Sequence, residues 1–95
     1  LEKTGIAMFP DAPTARGVKH LHTLTELAAE GKEAWMLFVI QMDGPRCFQP
    51  NDNIDPAFGQ ALRKAAAAGV HIHAVDCCVE KGGLFCQNPI SVLLP

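Results

Sequence analysis

The residues AWMLFVIQ (34–41) form an apolar run of strand length in which no polar residue falls at every second position. A strand with one face in water alternates. A run without alternation needs cover on both faces, which is the pattern of a central strand in a mostly parallel sheet. Parallel neighbours cannot be joined by a tight hairpin, so crossover segments must return the chain across the sheet. The run is far shorter than the ~20 apolar residues a membrane-crossing helix requires, so no membrane partner is expected.

The rest of the chain supplies what such a strand demands. GIAMF (5–9) is a short strand-like run ended by Pro10, and PDAPT is a turn cluster leading into a helix over residues 15–30. Thr14 is the expected N-cap and Gly31 the stop. Val18, Leu21, Leu24, Thr25 and Ala28 form the inner side of that helix, with Arg16, Lys19, His20, Thr23, Glu26 and Glu30 opposite. MDGPRCFQPND reads as a loop. Asp55 and Pro56 then open a second helix as N-cap and N1, Phe58, Ala61, Leu62, Ala65 and Ala66 form its apolar stripe, and Gly69 ends it. VHIHAV (70–75) is a further strand, and EKGG (80–83) a turn before a loosely patterned tail. The order strand, helix, strand, helix, strand predicts an α/β fold with a right-handed crossover and a parallel pair. With 95 residues, 48% of them hydrophobic and 19% charged, the chain suits one globular domain.

Charge and cysteine usage narrow the chemistry. A net charge of −2 gives no global basic footprint, so contact with nucleic acid would need a local patch. Cys47, Cys77, Cys78 and Cys86 show no CxxC spacing, and Cys77 and Cys78, adjacent in a strand, should point to opposite faces. The reading is reduced thiols in a cytoplasmic protein. The chain opens on Leu1 without a charged-then-apolar leader, as expected of part of a longer, non-exported polypeptide.

The first helix places its cations against the dipole rule. Arg16, Lys19 and His20 stand in its opening turns, where unpaired N–H groups already make the potential positive, and Glu26 and Glu30 stand in its closing turns. The second helix carries Arg63 and Lys64 in its C-terminal half, where the dipole favours them. Two explanations are open. Asp11 can neutralise Arg16 and leave ordinary solvated charges, or the helix start with Arg16, Lys19 and His20 holds a phosphate oxyanion, with Gly17 permitting close approach. His71 and His73 share one strand face but lack further assured ligands, and His20 and His22 diverge around their helix. Asp43 reads as a turn former, Asp55 as a cap. Asp52 and Asp76 also fall near element ends. There is no Gly-rich phosphate loop, no GxSxG elbow and no nucleophile–base pair supported by spacing. No catalytic residue, metal ligand set or cofactor is expected in this chain.

MFPDAPTARGVKHL (8–21) resembles the FPDA-x-T-x-RG-x-KHL segment of the sugar fermentation stimulation protein A (SfsA) family. LAAEGKEAWMLFVIQ follows at the expected distance, and IDPAFGQALRKAAAAGVHIHAV is similar to that family's IDP-x-aromatic…GV region, so the likeness extends to about Val75. The resemblance implies a restriction-endonuclease-like α/β domain forming the C-terminal portion of a DNA-binding protein that regulates sugar (maltose) metabolism. It also implies that an OB-like N-terminal region and the acid and ExK strands lie outside these 95 residues. Among the matched positions, Arg16, Lys19 and His20 suit DNA phosphate contact, with Asp11, Thr14 and Gly17 supporting them. Ala15 and Val18 depart from the glutamate and glutamine frequent there, and Cys77, Cys78 and the tail after Glu80 have no clear counterpart that assigns them a role. Two other classes remain open: a metal-dependent nuclease completed by upstream residues, and a homo-oligomerisation module that does not touch DNA.

Overall fold

A computed structural model of the chain describes residues 2–3, 5–40, 47–80 and 82–95, with side chains described for residues 5–40, 47–77, 82–83 and 88–95. The elements run β1 (Glu2–Lys3), β2 (Ile6–Phe9), α1 (Ala15–Ala29), β3 (Trp35–Ile40), β4 (Cys47–Pro50), α2 (Pro56–Ala68), β5 (His71–Glu80) and β6 (Gly83–Val92). They form an α/β fold. Six strands make one mixed sheet in the order β1-β2-β4-β6-β5-β3. The pairs β2–β4, β4–β6 and β3–β5 are parallel, while β1–β2 and β5–β6 are antiparallel.

Both helices form where their sequences start and stop them. The Thr14 hydroxyl accepts from Gly17 N at 3.0 Å, and the Asp55 carboxylate accepts from Phe58 N at 3.1 Å, with Pro56 at the first helical position. The two C-termini close alike, by Lys32 N donating to Leu27 O (3.1 Å) and Val70 N donating to Ala65 O (3.0 Å). Gly31 and Gly69 there adopt φ of 86° and 105°, the left-handed conformation that turns the chain off a helix end. Leu21 from α1 and Phe58, Leu62 and Ala65 from α2 are fully buried. Each such large side chain contributes roughly 1.5–3 kcal/mol of burial free energy.

An aromatic cluster joins the helices to the sheet. Phe38 stacks on Phe48 at 4.5 Å between ring centroids, and Phe9 meets Phe58 edge-on at 5.3 Å and Phe38 at 5.8 Å. The Phe9–Pro10 peptide bond is cis, and Phe9 O accepts from Asn51 N at 2.7 Å. The FPDA stretch thus carries the chain from β2 to the start of α1 over a fixed aromatic seat.

Three features differ from the sequence-based reading. The run WMLFVI is not a central strand covered on both faces: β3 is an edge strand, and Trp35, Leu37 and Val39 are 58%, 58% and 41% exposed. The segment read as a loop contains β4, whose Phe48 is completely buried in the middle of the sheet. The tail forms β6, and β5 extends five residues beyond Val75, so Asp76 lies within a strand rather than at its end. Asp76 is buried and its carboxylate accepts from Asn88 N at 2.8 Å, beside a register shift between Asp76 and Cys77. Cys47 is a half-buried free thiol, and the Cys77 side chain is buried. The orientation expected for Cys78 and the turn expected at Asp43 fall outside the described side chains and residues. No helix among the described residues is long and apolar enough to cross a membrane.

Candidate nucleic-acid interface

The start of α1 is held from two directions. Asp55, buried at 7% exposure, uses one carboxylate oxygen to cap α2 and the other to accept from Thr14 N at 2.9 Å. Thr14 is itself the cap of α1. A single carboxylate therefore ties the first residues of both helices together, which the reading of Asp55 as a cap for one helix had only half captured. Gly17 belongs to the same joint. A Cβ there would sit 3.0 Å from Thr14 Cγ2 and 3.1 Å from Phe58 Cε1, so this glycine allows α1 to approach the α2 aromatic ring.

Arg16, Lys19 and His20 project from this joint into solvent. All three are exposed, as is Asp11 ahead of them. The first turn of α1 contains no acidic residue and its last turn no basic one. Ion pairs among the described residues, Lys32 with Glu30 at 3.2 Å and Arg63 with Asp52 at 2.6 Å, do not involve the three cations. Arg16 thus stands in the first turn, at the positive end of the helix, with Lys19 and His20 in the turn after it, and no acidic side chain of that first turn offsets them.

The helix pair adds two residues that local pattern could not single out. α1 and α2 pack side by side, and a shallow groove between them is lined by His22, Thr25, Glu26 and Lys64, continuing past Val18, Ala57 and Gln60. His22 and Lys64 are 42 positions apart in the chain, so only the packing of α1 on α2 reveals that they share one surface. Lys64 and Arg63 precede the last turn of α2, where the dipole's influence has faded. Arg63 serves another purpose. Its guanidinium forms a two-pronged pair with Asp52 (3.1 and 2.6 Å) and donates to Pro95 O at 2.6 Å, tying the C-terminus to the approach to α2. Hydrogen bonding to Arg63 lowers the Asp52 pKa below the usual carboxylate value and raises that of Arg63. Gly59 makes room for the pair, because a Cβ there would collide with the Asp52 carboxylate.

His71 and His73 share the open face of β5, where both stack against Trp35 at 4.4 and 5.2 Å between ring centroids. Among the described residues no group of three His, Cys, Asp or Glu side chains is placed to hold a metal ion.

This arrangement, two helices on a mixed sheet, is that of a known domain class. The fold superposes on the structure of Pyrococcus furiosus SfsA in complex with Ca2+ with a TM-score of 0.91 and 32% identity, covering 98% of this chain and 41% of that one. A family profile described as "Sugar fermentation stimulation protein RE domain" matches residues 1–83. The sugar fermentation stimulation protein homologs of Clostridium botulinum (strain Loch Maree / Type A3) and Caldanaerobacter subterraneus subsp. tengcongensis are each 47% identical, over 97% and 99% of this chain. The chain belongs to the SfsA family. It spans about two fifths of the length of these relatives, 40% and 41%, and matches their C-terminal part.

Proposed function

We propose that this chain is the C-terminal, nuclease-like domain of a DNA-binding regulator of sugar metabolism, maltose utilisation included, and that Arg16, Lys19 and His20 contact DNA phosphates. The observation carrying this reading is two cationic side chains, Arg16 and Lys19, with the imidazole of His20 beside them, all exposed in the opening turns of a helix whose start is locked in place by Asp55. Placing them there has an electrostatic cost for the free protein. A phosphate seated among them reverses that sign, since the backbone N–H groups and side chains then act on the anion together. Lys64 and His22 lie beside the same helix in a groove that Glu26 also lines, so Lys64 adds one further cation on the α2 side. Asp11, Thr14 and Gly17 support the site by setting the direction in which α1 leaves the sheet.

Three such contacts give weak, salt-sensitive binding, with log K falling by about 0.9 per phosphate for each decade of salt. Fluorescence anisotropy of a labelled duplex across a salt series, with the wild type and Arg16→Ala/Lys19→Ala, tests the site. The double variant should bind more weakly and show a shallower salt slope. Equal binding by both proteins overturns the assignment of the DNA surface to α1.

A second reading is favoured by the calcium ion named with the Pyrococcus furiosus relative. Divalent metal ions accompany nucleolytic chemistry in many folds, so the longer polypeptide could be a metal-dependent nuclease. The described residues do not themselves form a metal site, so cleavage would depend on groups elsewhere. Mg2+-dependent cutting of duplex DNA by the longer polypeptide, against none, decides between regulator and nuclease.

A further inference from the structure

The sheet is covered unevenly. α1 and α2 pack side by side with the core between them and the sheet, built on Phe38, Phe48, Ala74 and Ile90. The opposite face, along β3 and the start of β5, presents Trp35, Leu37 and Val39 with the exposed His71 and His73. These residues are register neighbours, Trp35 opposite His71 and Leu37 opposite His73, so they form one continuous patch. β3 is also an edge strand without a single charged residue or proline. Soluble proteins rarely leave such an edge open, because its unpaired backbone groups and apolar side chains recruit other chains.

We propose that this patch is the seat of the portion of the polypeptide that precedes the matched part in the longer SfsA-family relatives, packing over Trp35, Leu37 and Val39. One observation selects this occupant over a second copy of the chain, and another selects permanent cover over a transient partner. The relatives carry about three fifths of their length outside the matched C-terminal part. The run WMLFVI is apolar on both faces, the pattern of a strand permanently covered on both sides, whereas a surface that binds and releases partners keeps polar residues around its apolar centre. His71 and His73, stacked on Trp35, form the polar margin of the patch on one side only. The proposal does not depend on DNA binding, since α1 and its cations lie on the other face of the sheet.

Trp35 is the one tryptophan in the sequence, so its fluorescence reports on this patch alone. The experiment compares the 95-residue chain with a fusion in which the N-terminal portion of the Clostridium botulinum relative precedes Leu1. That portion is made without tryptophan by Trp→Phe substitution. Acrylamide quenching and emission wavelength are read for both proteins, and light scattering records their association states. The expected result is an accessible, red-emitting Trp35 in the short chain and a protected, blue-shifted Trp35 in a monomeric fusion. Leu37→Asp should restore accessibility in the fusion and leave the short chain's unfolding midpoint unchanged. Equal quenching of the two proteins overturns the proposal. So does a short chain that is already a dimer with Trp35 protected, since the patch is then an interface between copies. Circular dichroism and the anisotropy of Trp35 establish that the fusion is folded. If that hybrid is unfolded, the same comparison is made with the native longer polypeptide, and an equally accessible Trp35 there is again a refutation.

Discussion

Replacing Asp55 by alanine removes two acceptors at once. The first loss is the cap of α2, where Phe58 N loses a partner 3.1 Å away, and substitution of such a cap costs about 1 kcal/mol. The second is the acceptor of Thr14 N at 2.9 Å, and a part-buried amide left without a partner costs about 1–3 kcal/mol. Together the loss is about 2–4 kcal/mol, a large part of the ~5–15 kcal/mol that holds a domain folded. At roughly 4–8 °C per kcal/mol for a domain of this size, Tm should fall by about 8–32 °C. Asp55→Asn separates the two contributions. Its single side-chain oxygen can serve only one of the two amides and its NH2 group points a donor at the other, so its cost should fall between zero and that of alanine. Urea denaturation followed by circular dichroism measures both. A loss below about 1 kcal/mol for Asp55→Ala refutes the double tie, because cap removal alone would account for it.

The Asp52–Arg63 pair predicts a pH dependence. Because the folded-state pKa of Asp52 is depressed, the pair's contribution is present above the ordinary aspartate range and is lost as pH falls through the lowered value; Asp52→Asn should therefore destabilise the protein slightly near neutrality, by less than about 1 kcal/mol for so exposed a pair, and not at all once Asp52 is protonated, as urea titrations at several pH values would show. Gly59→Ala should displace the Asp52 carboxylate, returning its pKa to the normal aspartate range by NMR titration, and so should fall short of the ~1 kcal/mol gain usual for this substitution inside a helix. Phe58→Ala, which empties the centre of the aromatic cluster, should cost about 3–5 kcal/mol and leave the 95-residue chain unfolded at moderate urea concentrations.

The helices were legible in the sequence because their signals are local. Thr14 and Gly31, then Asp55, Pro56 and Gly69, sit within a few residues of the ends they control, and the apolar stripes repeat at the helical period. Strands β4 and β6 escaped for the opposite reason. CFQP is four residues long and ends on proline, and GLFCQNPISV carries a Gln-Asn-Pro step in its middle. Their partners are remote: β4 takes its place from β2 and from β6, roughly 40 residues away on each side. The apolar run of β3 correctly announced a strand, but lack of alternation does not fix its place in the sheet: the strand expected at the centre lies at the edge, with Trp35, Leu37 and Val39 exposed. At the candidate interface, Arg16, Lys19 and His20 could be picked out by their conflict with the helix dipole. The Asp55–Thr14 bond across 41 residues, and the meeting of His22 with Lys64, depend on how α1 lies against α2.

The position of β6 has a consequence for how the chain is made. Among the described residues the last strand in chain order, β6, lies between β4 and β5, so it is the piece that unites β1-β2-β4 with β5-β3. The junction with β4 is brief, resting on Cys47 opposite Ser91, Phe48 opposite Val92, and Leu93 N donating to Phe48 O at 2.8 Å. Until residues 91–93 emerge, synthesis yields two partial sheets with the aromatic seat for α2 still unsealed. The stretch matched by the family profile ends at Gly83, where β6 begins. A nascent chain stopped there would hold every residue of this chain that the profile matches while lacking its keystone strand.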